Sequence, residues 1–183
     1  MTSPRILLLP GWQNSGDGHW QTRWEQLHGF ERLQQDDWWW PRRGDWMIRL
    51  EENLLADERP AVLVAHSLGC HLVTAWAAHS QHTARVVAAL LVAPPDLRRA
   101  EGPPQLQAWA PVHHQRLPFA STAVLSADDP FSPLDRSLAL AADWGSETVN
   151  LGPAGHLNAD SGLGDWPEGL ALLHGLLRGA AAA

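Results

Sequence analysis

At 183 residues, with 45% hydrophobic and 18% charged side chains, the chain has ordinary globular composition and is long enough to bury a core, which excludes a disordered polymer. Thirteen basic against 20 acidic residues give a formal charge of −7, and without a clustered Lys/Arg patch this excludes a polyanion partner such as nucleic acid.

The elements follow from hydrophobic periodicity. Residues 6–9 form a continuous apolar run closed by Pro10-Gly11, which predicts a buried strand and a turn. A helix is predicted over about 18–28, with Trp20, Trp24 and Leu27 on one face. Residues 33–39 read as a second, more polar strand. From about Asp45 a helix carries Trp46, Leu50 and Leu54 in i, i+4 register and ends before Pro60. A buried strand over 61–65, an apolar helix over 68–79 and a strand over 86–92 follow. The proline-rich stretch 94–118 is a long loop able to cover part of a site. Then come a strand over 122–126, a helix over about 133–144, a strand over 147–151 and a helix over about 166–177. Residues 178–183 are expected to be a frayed, flexible tail.

Strands alternating with helices, in runs apolar enough to be covered twice, predict an α/β fold: a compact, mostly parallel sheet flanked by helices on both faces, in one domain over 1–183. Cys70 is the lone cysteine and cannot form an intrachain disulfide. The run 6–9 is too short for a secretory signal, and no apolar stretch approaches the roughly 18 to 20 residues that span a bilayer. These features predict a cytoplasmic protein without a membrane partner.

In such a sheet chemistry is sought beyond the carboxyl ends of the strands. After the strand at 61–65 stands AHSLG, a near match to the Gly-x-Ser-x-Gly nucleophile elbow with Ala65 in the first glycine position. Ser67 is then a candidate nucleophile, or an N-capping serine at a plain strand-to-helix junction. After the strand at 122–126 comes ADDPFSP, where Asp128 or Asp129 can orient a histidine or merely cap a turn. The proline after Asp129 favours it, but spacing leaves the pair open. After the strand at 147–151, His156 lies in a glycine-flanked loop, which completes the chain order serine, aspartate, histidine. The backbone N–H groups of Leu68 and of Trp12, after the first strand, are candidate oxyanion donors. His66 is disfavoured as a base, because neighbours at such a turn point apart. His113 and His114 lack partners at zinc-ligand spacing, and no phosphate loop or dinucleotide fingerprint occurs. NSGDGHW at 14–20 enters a helix and is a weaker candidate for holding an anion. Of the 11 tryptophans, Trp12, Trp20, Trp38, Trp39, Trp40 and Trp109 lie in loops or at element starts, where a few can wall a pocket while most pack in the core.

Four segments in order, LPGWQNSGDGHWQTRWE, AHSLGC, SADDPFSP and GHLNADSGLGDWPEG, together resemble the RBBP9/YdeN family of small serine hydrolases in the α/β-hydrolase superfamily. The resemblance runs from Leu8 to about Gly169. It implies an α/β-hydrolase fold without a large cap and a Ser-Asp-His triad, with Ser67 as nucleophile, His156 as base and the aspartate directly before proline, Asp129, as acid. The family's elbow often departs from two glycines, so Ala65 fits it. The Leu-x-Cys-x-Glu segment linked to retinoblastoma-protein binding is not carried over, since Leu72 stands where glutamate is needed. The expected activity is hydrolysis of a small-molecule ester, amide or thioester through an acyl-enzyme, with no metal or organic cofactor. A non-catalytic binding protein that retains the fold and an acyltransferase using the same triad are the rival readings.

Overall fold

Six strands lie side by side, all parallel, in a computed structural model that describes residues 3–98 and 102–182. They are Arg5–Leu9 (β1), Glu31–Arg32 (β2), Ala61–His66 (β3), Val86–Val92 (β4), Ala120–Leu125 (β5) and Glu147–Asn150 (β6), in the spatial order β2-β1-β3-β4-β5-β6. The helices are Trp20–His28 (α1), Arg43–Ala56 (α2), Leu68–His79 (α3), Leu134–Trp144 (α4) and Pro167–Ala182 (α5). Among the described residues no helix is long and apolar enough to cross a membrane.

Side chains alternate across a strand, so an unbroken apolar run must be covered on both faces. Leu7, Leu9, Leu63, Ala65 and Leu91 share one core with Trp46, Leu50 and Leu54 of α2 and Leu72, Val73 and Trp76 of α3. Leu8, Val62, Val64, Leu90 and Val92 share the other with Trp20 and Trp24 of α1 and Leu173 of α5. Trp46, Leu50 and Leu54 are the periodic triplet of α2, and all three are buried.

The expected strand over 33–39 is not formed. Pairing with β1 stops after Arg32, and the backbone N–H of Leu33 makes the last bond, to the Leu8 carbonyl. Downstream the Asp37 carboxylate accepts the N–H groups of both Trp39 and Trp40, each at 2.8 Å, and these side-chain bonds favour a turn over extension. The last helix does not end near Leu177 but runs on through Ala182, since Gly179 is followed only by alanines, the best helix formers. The tail expected over 178–183 is therefore helical as far as it is described, and Ala183 lies outside the described residues.

From β1 the chain moves outward to the edge strand β2 and then returns across β1 to place β3 on the other side. The carboxyl ends of β1 and β3 thus flank the point where strand order reverses, and the crevice there is where this class of sheet binds ligands.

Candidate active site

Ser67 stands between β3 and α3 with φ 54° and ψ −122°, a backbone conformation that costs a non-glycine residue roughly 1–3 kcal/mol. The turn is held from both sides: Ser67 N–H donates to the Val92 carbonyl of β4 at 2.9 Å, and Cys70 N–H donates to the Ser67 carbonyl at 2.9 Å. Only one of the two elbow glycines is sterically required here. A Cβ on Gly69 would lie 2.4 Å from the Leu9 carbonyl oxygen at the end of β1. Ala65, by contrast, is a fully buried strand residue paired with Leu9 and Leu91, and its methyl fills the core.

His156 Nε2 lies 2.8 Å from Ser67 Oγ, and His156 Nδ1 lies 2.9 and 3.0 Å from the two carboxylate oxygens of Asp129. With its proton on Nδ1, one imidazole donates to the carboxylate and accepts the serine hydroxyl's hydrogen bond at Nε2. The Asp129 side chain is 3% exposed, and its Oδ1 also accepts Phe131 N–H at 2.9 Å. The Asp128/Asp129 pair separates cleanly by geometry. Asp128 Oδ1 accepts the Ser126 hydroxyl at 2.9 Å and Gly155 N–H at 2.8 Å, tying the loop after β5 to the loop that carries His156. The Gly155 N–H and then the Ser126 hydroxyl hold the Asp128 carboxyl below the usual carboxylate range.

Leu68 is the first residue of α3, so its N–H has no acceptor within the helix. Trp12 follows β1, and Gly11 brings that loop against the elbow so closely that a Cβ there would meet Ser67 Cβ at 2.9 Å. Both Trp12 and Leu68 line the cleft of ≈ 390 Å³ into which Ser67 and His156 open.

A serine on a strained strand-to-helix turn, a histidine and a carboxylate thus stand in one hydrogen-bonded series. The model of the family described as serine hydrolase matches residues 6–175. The chain belongs to the serine hydrolase family. Its fold is similar to that of a YdeN-like hydrolase from Pectobacterium atrosepticum, at 27% identity over 97% of this chain and 92% of that one, with a TM-score of 0.85. The ydeN gene product of B. subtilis is similar over 96% of this chain and 100% of that one, at 22% identity and a TM-score of 0.74. A thermophilic esterase from Thermogutta terrifontis shares the fold at 17% identity, 98% and 91% coverage and a TM-score of 0.67. No curated protein sequence matches the chain. The RBBP9/YdeN resemblance carried by the four segments thus agrees with both comparisons, and the architecture is an α/β hydrolase without a large cap domain.

The cleft of this serine hydrolase has an apolar wall from Trp12, Pro95, Pro103, Leu106 and Phe131 and a polar edge from Asn14 and Asn158. Among the described residues no Asp, Glu, Lys or Arg side chain lines it. The proline-rich loop does contribute cover, through Pro103 and Leu106; its residues 99–101 lie outside the described part. Of the six tryptophans singled out in the sequence only Trp12 lines the cleft. Trp20 and Trp109 are buried, Trp38 packs on the core, and Trp39 and Trp40 are exposed.

His66 does not reach Ser67 Oγ: its ring nitrogens face His19 Nε2 at 3.2 Å and the His156 carbonyl at 2.9 Å. In the 14–20 segment several polar groups are already paired within the protein. Gln21 N–H, in the first turn of α1, donates to His19 Nδ1 at 3.1 Å, and Arg32 Nη1 donates to Asn14 Oδ1 and to the Ser15 carbonyl, both at 2.9 Å. The sequence reading also missed Gln21. Fully buried, it donates from Nε2 to the carbonyls of Val64 (3.0 Å) and Leu9 (3.3 Å) and accepts the Ser15 hydroxyl at 2.7 Å. The available signal was a glutamine beside Trp20, at the start of a helix whose tryptophans point into the core.

Proposed function

We propose that the protein hydrolyses small, uncharged carboxylic esters through an acyl-enzyme on Ser67. The observation that carries this reading is the unbroken series from Ser67 Oγ through His156 to Asp129, with the serine on a strained elbow beside an open cleft. His156 Nε2 takes the Ser67 proton as Oγ attacks the acyl carbon, while the Asp129 carboxylate keeps the other proton on Nδ1 and stabilises the imidazolium. The N–H groups of Leu68 and Trp12 are assigned to the tetrahedral oxyanion. His156 then protonates the leaving alcohol, and a water activated by the same nitrogen releases the acid. The described lining, without an Asp, Glu, Lys or Arg side chain, supports neutral substrates, since a charged group entering the cleft meets no described counter-ion. The esterase among the structures of similar fold agrees with this choice of bond.

Turnover of p-nitrophenyl acetate and labelling by a fluorophosphonate probe test the assignment. Ser67→Ala is expected to lose labelling and about 10⁴- to 10⁶-fold in kcat with its thermal midpoint kept. Asp129→Asn is expected to lose about 10⁴-fold, and Asp128→Asn far less. Wild-type-like turnover by the Ser67→Ala protein removes Ser67 as nucleophile.

A further inference from the structure

His66 and His19 form a buried pair that the reaction above does not use. His66 is the last residue of β3, in register with Val92, and so faces the α1/α5 side of the sheet while Ser67 continues into the elbow. His19 is the N-cap of α1, and the two rings meet edge to face with centroids 4.6 Å apart. Their hydrogen bonds allow one assignment of protons. Gln21 N–H donates to His19 Nδ1, so the His19 proton is on Nε2, which faces His66 Nδ1 at 3.2 Å. His66 Nδ1 is then an acceptor, its proton is on Nε2, and that N–H donates to the backbone carbonyl of His156 at 2.9 Å. Beside it Trp20 Nε1–H donates to the next carbonyl, that of Leu157, at 2.8 Å, and Leu157 itself has φ 51°. Two consecutive carbonyls of the base-bearing loop are therefore held by donors fixed in β3 and at the start of α1.

From this geometry we infer that His66, with its tautomer set by His19, is a positioning residue that fixes the main chain of His156 where its imidazole meets Ser67. The inference rests on the hydrolase reading proposed above. The Gly18-His19-Trp20 turn becomes one half of a clamp on the base loop, and β3 supplies both the nucleophile and the other half. Both histidines are neutral, as the alternating donors and acceptors require. Burial pushes His66 well below the ordinary histidine range and His19 down to about 3. The charged or titratable groups facing the pair, Arg32 and His156, both oppose an added positive charge. A loop anchored by its own backbone holds its side chain within the fraction of an ångström that proton transfer needs, and a 1 Å misplacement costs about 10²-fold in rate.

The test is kinetic and spectroscopic on the full chain. His66→Leu keeps the volume but removes the donor, and is expected to lower kcat by about 10²-fold with KM changed by no more than about twofold. His66→Gln, whose amide N–H reaches the same carbonyl, is expected to recover most of that loss. His19→Leu frees His66 to move its proton to Nδ1, and is expected to fall between the two. Ring-nitrogen NMR of the wild type at pH 7 is expected to show His66 as the neutral Nε2–H tautomer. Wild-type kcat in His66→Leu, a Gln variant as impaired as the Leu variant, or an Nδ1–H tautomer for His66 would each overturn the inference. If the Leu variant does not fold, the Gln variant and the wild-type spectrum decide. If wild type neither turns over ester nor takes the fluorophosphonate label, the hydrolase reading fails, while the tautomer still tests the clamp on its own.

Discussion

The two small residues around Ser67 are small for different reasons. Gly69 must lack a side chain because the chain leaving β1 passes over it, with the Leu9 oxygen where a Cβ would stand. Gly69→Ala therefore pushes on backbone rather than on a yielding side chain. It is expected to cost about 1–3 kcal/mol and to displace the Trp12 loop, which carries a proposed oxyanion donor. Ala65→Gly restores the usual motif, yet it removes a buried methyl and loosens a strand, together about 1.5 kcal/mol, or roughly 3 to 6 °C in thermal midpoint. Thermal melts of the two variants check both, and a more stable Ala65→Gly protein contradicts the packing argument. At this scale the sequence made Ser67 and His156 legible as candidates, because a strand end and a glycine-flanked loop are local features, whereas spacing left Asp128 and Asp129 open and only the family resemblance chose Asp129. The separate work of Asp128 was not legible. It depends on Gly155 arriving 27 residues later, which no local pattern encodes.

At the level of the elements, the apolar runs of β1, β3 and β4 and the Trp46-Leu50-Leu54 stripe of α2 were readable because burial imposes their period. The false strand over 33–39 shows the limit: β propensity from two tryptophans was outweighed by one carboxylate bonding two backbone N–H groups. Helix α3 carries a further consequence. His71 is buried on it with Nε2–H donating to the Pro95 carbonyl at 2.7 Å, and burial brings its pKa down to about 4 against the Asp96 carboxylate, which acts in the opposite sense, while His113 and His114 add to the lowering. Above pH 6.5 neither the folded nor the unfolded chain protonates it. As pH falls below 6.5 the unfolded chain binds a proton that the folded one refuses, so stability is lost between about 6.5 and 4. For this one group the loss between pH 7.5 and 5 is about 2 kcal/mol. His71→Gln keeps a donor toward Pro95 but cannot titrate, and its melting temperature is expected to fall about 4 to 8 °C less than wild type over that interval. An unchanged acid limb in differential scanning calorimetry shows that His71 is charged in the folded protein.

The molecule joins an acidic formal charge to a cleft whose described lining carries no Asp, Glu, Lys or Arg side chain, and the two act on a substrate at different ranges. A formal charge of −7 repels an anion during approach, an effect screened beyond a Debye length of about 8 Å at physiological salt. Inside the cleft the described lining offers no cation to replace lost hydration, and that penalty is a matter of contact and independent of salt. Comparing p-nitrophenyl butyrate with the hemisuccinate ester, which carries a carboxylate near the end of a similar chain, separates the two. The hemisuccinate is expected to have kcat/KM lower by at least about 10-fold, the loss worth roughly 1.4 kcal/mol in transition-state binding. Raising the ionic strength from 0.01 to 0.5 M is expected to narrow the gap but not to close it, since only the long-range part is screened. A gap that vanishes at high salt assigns discrimination to the surface alone. Faster turnover of the hemisuccinate means that a cation reaches the acyl chain, and the neutral-ester assignment is then wrong.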